Sequence, residues 1–276
     1  IFNKSAQGVT SYYQLMEREL ESRWTTDDRD DAQVLMHWIL HSFIPLTIEQ
    51  LHYGLKYLGV EFIDLQLTIT RVCGRFLTVN NKSQVRVIHP TAERFILDQR
   101  SFLNVDSKAA HRSILVSCLT CLDSFAAVGS RRQEEFGSFR EYAMKFWFRH
   151  LEKCELDKEE SILGLVVAFF KGQGILSWIL LVSRSQVLQC MIAAALSINR
   201  FIGQLGSGIV MREHVTFLER CSTDLCMLVE RFSSPLISIP EVIFELVPLF
   251  CPSKSFIKPL ARSSNVSLDG FPFQEW

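Results

Sequence analysis

The chain has 276 residues, a formal net charge of −1 and a sequence pI of about 6.7. This near-neutral balance provides no global field that would draw the protein to nucleic acid or to anionic lipid. The length allows one large domain or two ordinary ones, and a hydrophobic content of 48% indicates a well-buried helical core.

The cysteines and the two ends of the chain narrow the class of protein further. Eight cysteines are present, but the Cys118–Cys121 pair has no second pair at zinc-site spacing, so we interpret them as core thiols, with a metal site or disulfide as the alternative. The chain lacks the charged start and cleavage site of a signal peptide, and we expect a cytoplasmic protein. Because it begins at Ile1 and ends at Trp276 without a recognisable terminal motif, we expect a piece of a longer protein.

Residues 30–97 form the most informative block, and a helix predicted over Ser11–Ser22 precedes it. The block contains helices predicted over Asp30–His41, Thr47–Leu55 and Asp64–Val72, strands over Phe76–Val79 and Gln84–His89, and a helix over Pro90–Leu97. Thr47–Gln50 has the pattern of a capping box, and Gly74 is well placed to end the third helix. Pro90 suits the first position of a helix, where its missing N–H would have no partner. Three helices followed by a hairpin is the order of a winged-helix domain.

Beyond Lys108 the sequence shows no second cluster of strands, and its apolar spacing predicts an array of helices. These are Lys108–Phe125, Phe139–Leu151, Glu159–Phe170, Gly174–Val182, Ser185–Leu205 and Arg212–Phe232. We expect the charged stretch Gly129–Gly137 to be an exposed loop. Five prolines from Pro235 to Pro259 predict a connector at the end of the chain. The predicted fold class is therefore mainly α: a winged-helix domain with a small β-hairpin, followed by an α-helical array.

Ile162–Val182 is the one span with the length of a membrane helix. Lys171, Gln173 and two glycines interrupt its centre. A central lysine costs about 2.5–3.5 kcal/mol on an insertion scale, which opposes a membrane span. We expect two buried helices joined by a turn, and no membrane partner.

The sequence carries no recognisable active site. It lacks a phosphate-binding P-loop and a G-x-S-x-G nucleophile elbow, and the glycine-rich stretch Gly203–Gly208 has neither a following lysine nor a preceding strand. His37 and His41 have the spacing of a metal pair, but Trp38 stands where a zinc hydrolase needs a glutamate. We therefore predict boundary histidines with no metal, and a chain that is not an enzyme by itself.

A winged helix invites the alternative of DNA binding. The predicted third helix begins with Asp64 and offers one cation, Arg71, and the wing adds Lys82 and Arg86. Duplex binding draws most of its affinity from lysine and arginine contacts to phosphate, often about six or more. The order of elements permits this function and the charge opposes it, so we expect no nucleic-acid partner and keep a DNA-binding winged helix as the alternative.

A set of short motifs follows a fixed order along essentially the whole chain. The motifs are Asp31–Leu40, Pro45–Leu51, Cys73–Leu77, Val87–Leu97, Ala110–His111, Cys118–Leu119, Tyr142–Trp147, His150, Trp178, Thr223–Leu225 and Pro248–Ser253. Their shared order resembles the region that follows the NACHT ATPase domain of fungal NOD-like receptors, which are STAND-type signal-transducing NTPases. The winged helix of that region is also named for GPI inositol-deacylase.

This resemblance implies a division of the chain into four parts. Residues 1–26 would be the terminal helix of the preceding NACHT region, residues 27–100 a winged-helix domain, residues 101–234 an α-helical domain, and residues 235–276 a connector to a WD-repeat β-propeller. The whole would be a non-catalytic regulatory module that couples the nucleotide state of the NACHT domain to the repeat sensor, in innate recognition or in heterokaryon incompatibility and cell death. The implied partners are the NACHT domain, the propeller and further copies on activation. ADP or ATP would bind through the NACHT domain, and this chain alone would bind no cofactor.

The resemblance points to His89 as the site residue. It stands between the second wing strand and the next helix, like the histidine of the MHD motif in related receptors. That histidine approaches the β-phosphate of ADP, where a donor to an anion favours the closed state. Pro90 stands where the motif has aspartate. The alternative is that His89 caps the hairpin and bonds locally, and Thr91 and Arg94 fit either role.

Overall fold

A computed structural model describes residues 2–98, 101, 105–127, 137–154, 161–204, 212–260 and 276. In these residues the chain is mainly helical, with one two-stranded antiparallel sheet. The predicted fold class is therefore confirmed. The chain divides into two compact units, unit 1 over Ile1–Ile114 and unit 2 over Leu115–Trp276.

Unit 1 has the element order of a winged-helix domain, preceded by one further helix. Its elements are α1 (Phe2–Glu21), α2 (Thr26–His41), α3 (Ile48–Lys56), α4 (Leu65–Thr68) with a π-helical turn (Ile69–Cys73), β1 (Leu77–Val79), β2 (Val85–Val87) and α5 (Pro90–Leu97). Helix α6 (Ser107–Ala127) begins in this unit.

The wing is a short hairpin with a third segment on its edge. Strands β1 and β2 are antiparallel, with Thr78 opposite Arg86. On the other side of β2, the amide nitrogen of Val85 donates to the carbonyl oxygen of Leu46 at 2.9 Å. The segment Leu46–Thr47, just before α3, therefore forms hydrogen bonds with the wing and connects it to the helices of the domain.

Two capping boxes start the first helices of the block. At α3 the Thr47 side chain accepts the amide of Gln50 at 3.1 Å and Gln50 accepts the amide of Thr47 at 3.0 Å, as predicted. Helix α2 begins at Thr26 rather than near the predicted Asp30, because Thr25 and Asp28 form a second capping box. The acidic run that suggested a break is itself the first turn, where carboxylates are favourable.

Gly74 follows the third helix as predicted, but for a different reason. A helix-ending glycine often adopts a left-handed conformation, whereas Gly74 has a φ of −60°. A Cβ at this position would overlap the carbonyl oxygen of Thr70 in the π-helical turn. The glycine is required by this close approach of the backbone.

Helix α1 contributes directly to the core of unit 1. The ring of Tyr13 lies 6.0 Å from that of Phe76 and 5.4 Å from that of Phe95. Phe76 and Phe95 stack on each other at 6.4 Å, and Trp38 of α2 is fully buried. Residues before the predicted winged helix are therefore packed in the same core.

Unit 2 is an array of helices around buried aromatic rings. Its further elements are α7 (Gly137–Lys153), α8 (Ser161–Lys171), α9 (Gly174–Arg184), α10 (Gln189–Gly203), α11 (Arg212–Ser238), α12 (Val242–Phe250) and a 3₁₀ turn (Lys258–Leu260). Trp147 and Trp178 meet edge to face at 5.4 Å, and Phe170 meets Phe256 at 5.2 Å. All four rings are buried.

Residues 235–260 contain helical structure that their prolines do not predict. Helix α11 continues through Pro235 to Ser238. Helix α12 then buries Val242, Ile243 and Val247 within the stretch predicted as a connector. These three residues have helical spacing, and their burial stabilises the helix although Pro248 lies within it. The loop predicted over residues 129–137 lies outside the described residues except for Gly137, which begins α7.

Helices α8 and α9 are separate and meet at a bend of 71°, so the predicted turn is confirmed. Within the described ranges, neither these helices nor any other single helix combines the length and apolar character needed to cross a membrane. Among the helices that the structure describes, the bent pair passes that test only when its two helices are taken together.

We expect Gly174→Ala to destabilise unit 2. An added Cβ would lie 2.7 Å from Oδ1 of Asp123 and 2.9 Å from the ring of Phe169. Such overpacking costs about 1–3 kcal/mol, which a urea midpoint would report. Gly164→Ala is the matched control, because a Cβ there meets nothing within 4 Å and should stabilise α8 by about 0.5–1 kcal/mol. Equal midpoints for the two variants would contradict this packing.

Candidate functional site

His89 lies where the β-hairpin ends and α5 begins, and it is the N-cap residue of that helix. Its Nδ1 accepts the backbone N–H of Thr91 at 3.2 Å and lies 2.7 Å from the Thr91 hydroxyl. Pro90 occupies the first turn, where its missing donor costs nothing. The local capping role is thus present in the structure.

The cap also fixes the hydrogens of the His89 ring. Because Nδ1 accepts an N–H, it carries no proton, and the Thr91 hydroxyl donates to it. The Tyr13 hydroxyl lies 2.8 Å from the Thr91 hydroxyl and completes a chain from α1 to the ring. A neutral histidine with a bare Nδ1 carries its proton on Nε2. The exposed ring therefore offers one N–H donor beside the N-terminus of α5.

The surroundings of His89 carry both signs of charge. The N-terminus of α5 has the partial positive charge of a helix dipole, which favours an anion. Arg94 and Glu93 are both exposed on the same helix. Of the sequence-predicted residues, the structure brings Thr91 to His89 directly, whereas Arg94 lies outside the hydrogen-bonded chain from Tyr13.

The cation of the third helix is engaged within unit 1. Arg71 pairs with the buried carboxylate of Asp28 and lies 3.9 Å from that of Asp31. Hydrogen bonds from Thr25, together with the charge of Arg71, hold the pKa of Asp28 below its ordinary value. Leu67, 63% exposed, lies on the same helix. The one cation of the third helix is therefore neutralised within unit 1, whereas Lys82 and Arg86 of the wing are exposed.

In unit 2 a polar cavity of about 470 Å³ lies beside α11. It is lined by Thr216, Glu219, Arg220, Thr223, Asp224, Pro252, Lys254, Ser255 and Trp276. Asp224 is only 4% exposed, and its carboxylate accepts the indole N–H of Trp276 and the amide N–H of Phe256, the latter at 2.9 Å. Burial raises the pKa of Asp224.

Sequence reasoning missed this cavity. In the sequence, Asp224 is noted only as the middle residue of the motif Thr223–Leu225. One signal in the sequence could have indicated it. Asp224 has the helical spacing of the buried residues Cys221, Leu225 and Leu228, and a buried carboxylate needs hydrogen-bond partners. Its partners lie 32 and 52 residues away, and helical spacing cannot reveal them.

The eight cysteines are free thiols, and six of them are buried. Burial raises the pKa of the Cys118 thiol well above its ordinary value and that of Cys251 to about 12. A thiol with a raised pKa is a poor nucleophile at neutral pH. The interpretation as core thiols is confirmed for the six buried residues, whereas Cys190 and Cys226 are only half-buried.

Comparison with known families supports the assignment of the first block. Residues 20–111 match the family model of the GPI inositol-deacylase winged helix domain, from the end of α1 to the first turns of α6. The winged-helix domain named from the sequence is therefore shown. No curated protein and no solved structure gives a significant match to the chain.

Proposed function

We propose that this chain is a non-catalytic regulatory and linker module of a NOD-like receptor, a signal-transducing NTPase of the fungal type. Its winged helix would respond to the nucleotide held by a preceding NACHT domain. The α-helical unit would pass that state to a C-terminal WD-repeat sensor, in innate recognition or in heterokaryon incompatibility and cell death. The winged-helix match over residues 20–111 supports the first part of this proposal.

The observation that carries the proposal is the fixed donor of His89. Its Nδ1 is held by the cap, so its Nε2–H is available to an anion such as the β-phosphate of ADP. The same ring is connected through Thr91 to Tyr13 on α1, at 2.7 and 2.8 Å. Since α1 would adjoin the NACHT domain, His89 would contact the nucleotide and would also be linked, through Thr91, to the helix that connects the two domains.

The proposal assigns the remaining roles to other parts of the receptor. ADP or ATP would be bound mainly by the NACHT domain, with His89 as one contact, and activation would involve further copies of the receptor in the cytoplasm. The alternative of a DNA-binding winged helix is opposed by the engagement of Arg71 with Asp28. Salt-dependent binding of duplex DNA by the chain would favour that alternative.

We expect His89→Asn to release ADP from the full-length receptor while leaving the winged helix folded. Asparagine is a good N-cap and keeps the acceptor for the Thr91 amide, but it lacks the imidazole donor. A hydrogen bond to a charged group contributes about 1.5–3 kcal/mol, which corresponds to a loss of ADP affinity of about tenfold or more. ADP retained after purification and its dissociation constant would be measured, together with the melting temperature.

His89→Ala separates the two roles of this residue. It removes both the cap and the donor, so it should release ADP and also destabilise the domain by about 1 kcal/mol. If His89→Asn retains ADP as the wild type does, and only His89→Ala weakens binding, the residue is a structural cap and the nucleotide contact is wrong. A full-length protein without a NACHT domain would overturn the proposal altogether.

A further inference from the structure

Three histidines of unit 1 meet at the C-terminal end of α2. His37 and His41 lie on successive turns of α2, and His111 lies on α6, where it is 8% exposed. The rings of His41 and His111 meet edge to face at 5.2 Å, and the ring of Phe43 stacks on His111 at 5.9 Å. The cluster therefore joins α2, the turn after it and the start of α6.

A specific hydrogen bond holds His37 in its neutral form, and a second hydrogen bond fixes the ring of His41. Nε2 of His37 accepts the backbone N–H of Asp106, the residue just before α6, at 3.0 Å. A proton on that nitrogen would face another N–H and break the contact. Nδ1 of His41 lies 3.0 Å from the carbonyl oxygen of His37 and must donate to it, a hydrogen bond that by itself favours the protonated ring.

The charges around the cluster partly oppose its neutral state. The carboxylate of Asp106 faces both His37 and His41, and Glu93 of α5 faces His41. Both carboxylates favour protonated histidine, but burial is the larger influence and lowers the pKa of both rings. The two histidines also oppose each other's charge.

The side chains around these histidines do not form a metal-type cluster in the part of the chain that the structure describes. Among the described residues, no three histidine, cysteine, aspartate or glutamate side chains are arranged to hold a metal ion. The property that His37 and His41 share is the ability of histidine to take up a proton near neutral pH.

We infer that His37 and His41, packed beside His111, form a pH-sensitive clasp, which holds the start of α6 against the end of α2 while these two rings are neutral and releases it when they are protonated. A histidine whose folded pKa is lowered stabilises the folded state above its ordinary pKa of about 6.5. That contribution is lost as the pH falls through 6.5 toward the folded pKa. Acidification should therefore open the segment from Asp106 to Ile114. This inference does not depend on the proposed nucleotide contact.

The test is amide hydrogen exchange of the whole chain at pH 7.5 and pH 5.0, corrected for the intrinsic change of exchange rate with pH. In the wild type we expect the opening constant of residues 106–114 to rise at the lower pH, by about tenfold for each unit by which the pKa of a ring is lowered. The double variant His37→Gln, His41→Gln has amide oxygens in place of the rings and cannot titrate. It should keep the same opening constant at both values.

His52→Gln is the matched control, because His52 lies on α3 next to Tyr53 and outside the cluster. It should retain the pH response of the wild type. The clasp is overturned if protection of residues 106–114 in the wild type is the same at both pH values, or if the double variant retains the full response. If the double variant fails to fold, each single glutamine variant should retain only part of the pH response, and a full response in both would overturn the clasp equally.

Discussion

Trp178→Ala should lower the free energy of unfolding by about 3–5 kcal/mol, the range for removing a large aromatic ring from a core. Trp178 is fully buried on α9 and meets Trp147 edge to face at 5.4 Å. Its indole N–H donates to the carbonyl oxygen of Met144 at 2.9 Å. Truncation would leave a cavity between α7 and α9 and remove the hydrogen bond to Met144. Urea unfolding followed by circular dichroism would measure the loss.

Two further variants separate the causes of this loss. Trp178→Phe keeps an aromatic ring but removes the N–H, so it should cost less than the alanine variant, including about 1 kcal/mol for the hydrogen bond. Leu196→Ala, at a position 52% exposed on α10, should change stability by no more than about 0.5 kcal/mol. A Trp178→Ala variant as stable as Leu196→Ala would show that the ring is not part of the core.

The winged-helix block could be predicted because its signals are local. Thr47 and Gln50 lie three residues apart, and Pro90 marks the first turn of α5 by its own chemistry. The hairpin follows from two β-rich runs around four polar residues. Each of these features depends on neighbours in the sequence, which pattern reasoning can see.

Some elements that the sequence pattern does not show are decided by distant contacts. The prolines from Pro235 onward indicate a connector, but the burial of Ile243 and Val247 against the helical core stabilises α12. The third helix was predicted over Asp64–Val72, and its second half is a π-helical turn over Ile69–Cys73. No local pattern distinguishes that turn from an ordinary helical turn, since the residue types are equally compatible with both.

In the candidate site, too, local features could be predicted and long-range contacts could not. The position of His89 at the start of a helix can be predicted from Pro90, and with it the local capping role. Its connection to Tyr13 cannot, because Thr91 and Tyr13 are 78 residues apart. The histidine cluster is similar: the spacing of His37 and His41 is visible in the sequence, but their neighbour His111 is brought to them only by the fold.

Phe76→Ala should destabilise unit 1 by about 3–5 kcal/mol. Phe76 is fully buried directly before β1, and its ring lies against Phe95 of α5 and Tyr13 of α1. A domain is typically stable by only about 5–15 kcal/mol, so this loss is a large part of the total. Thermal and urea unfolding would measure it.

Phe76→Ala should also affect the candidate site, because Tyr13 would lose its contact with the ring of Phe76. The hydrogen bond from Tyr13 to Thr91 should weaken, and with it the connection between α1 and His89. Phe76→Leu retains an apolar side chain and should cost closer to 1 kcal/mol, whereas Ile88→Ala, at a half-exposed position beside His89, should change stability little. Slow exchange of the Thr91 amide in Phe76→Leu and fast exchange in Phe76→Ala would show that core packing holds the His89 cap in place. Equal protection in both variants would show that the cap forms independently of α1.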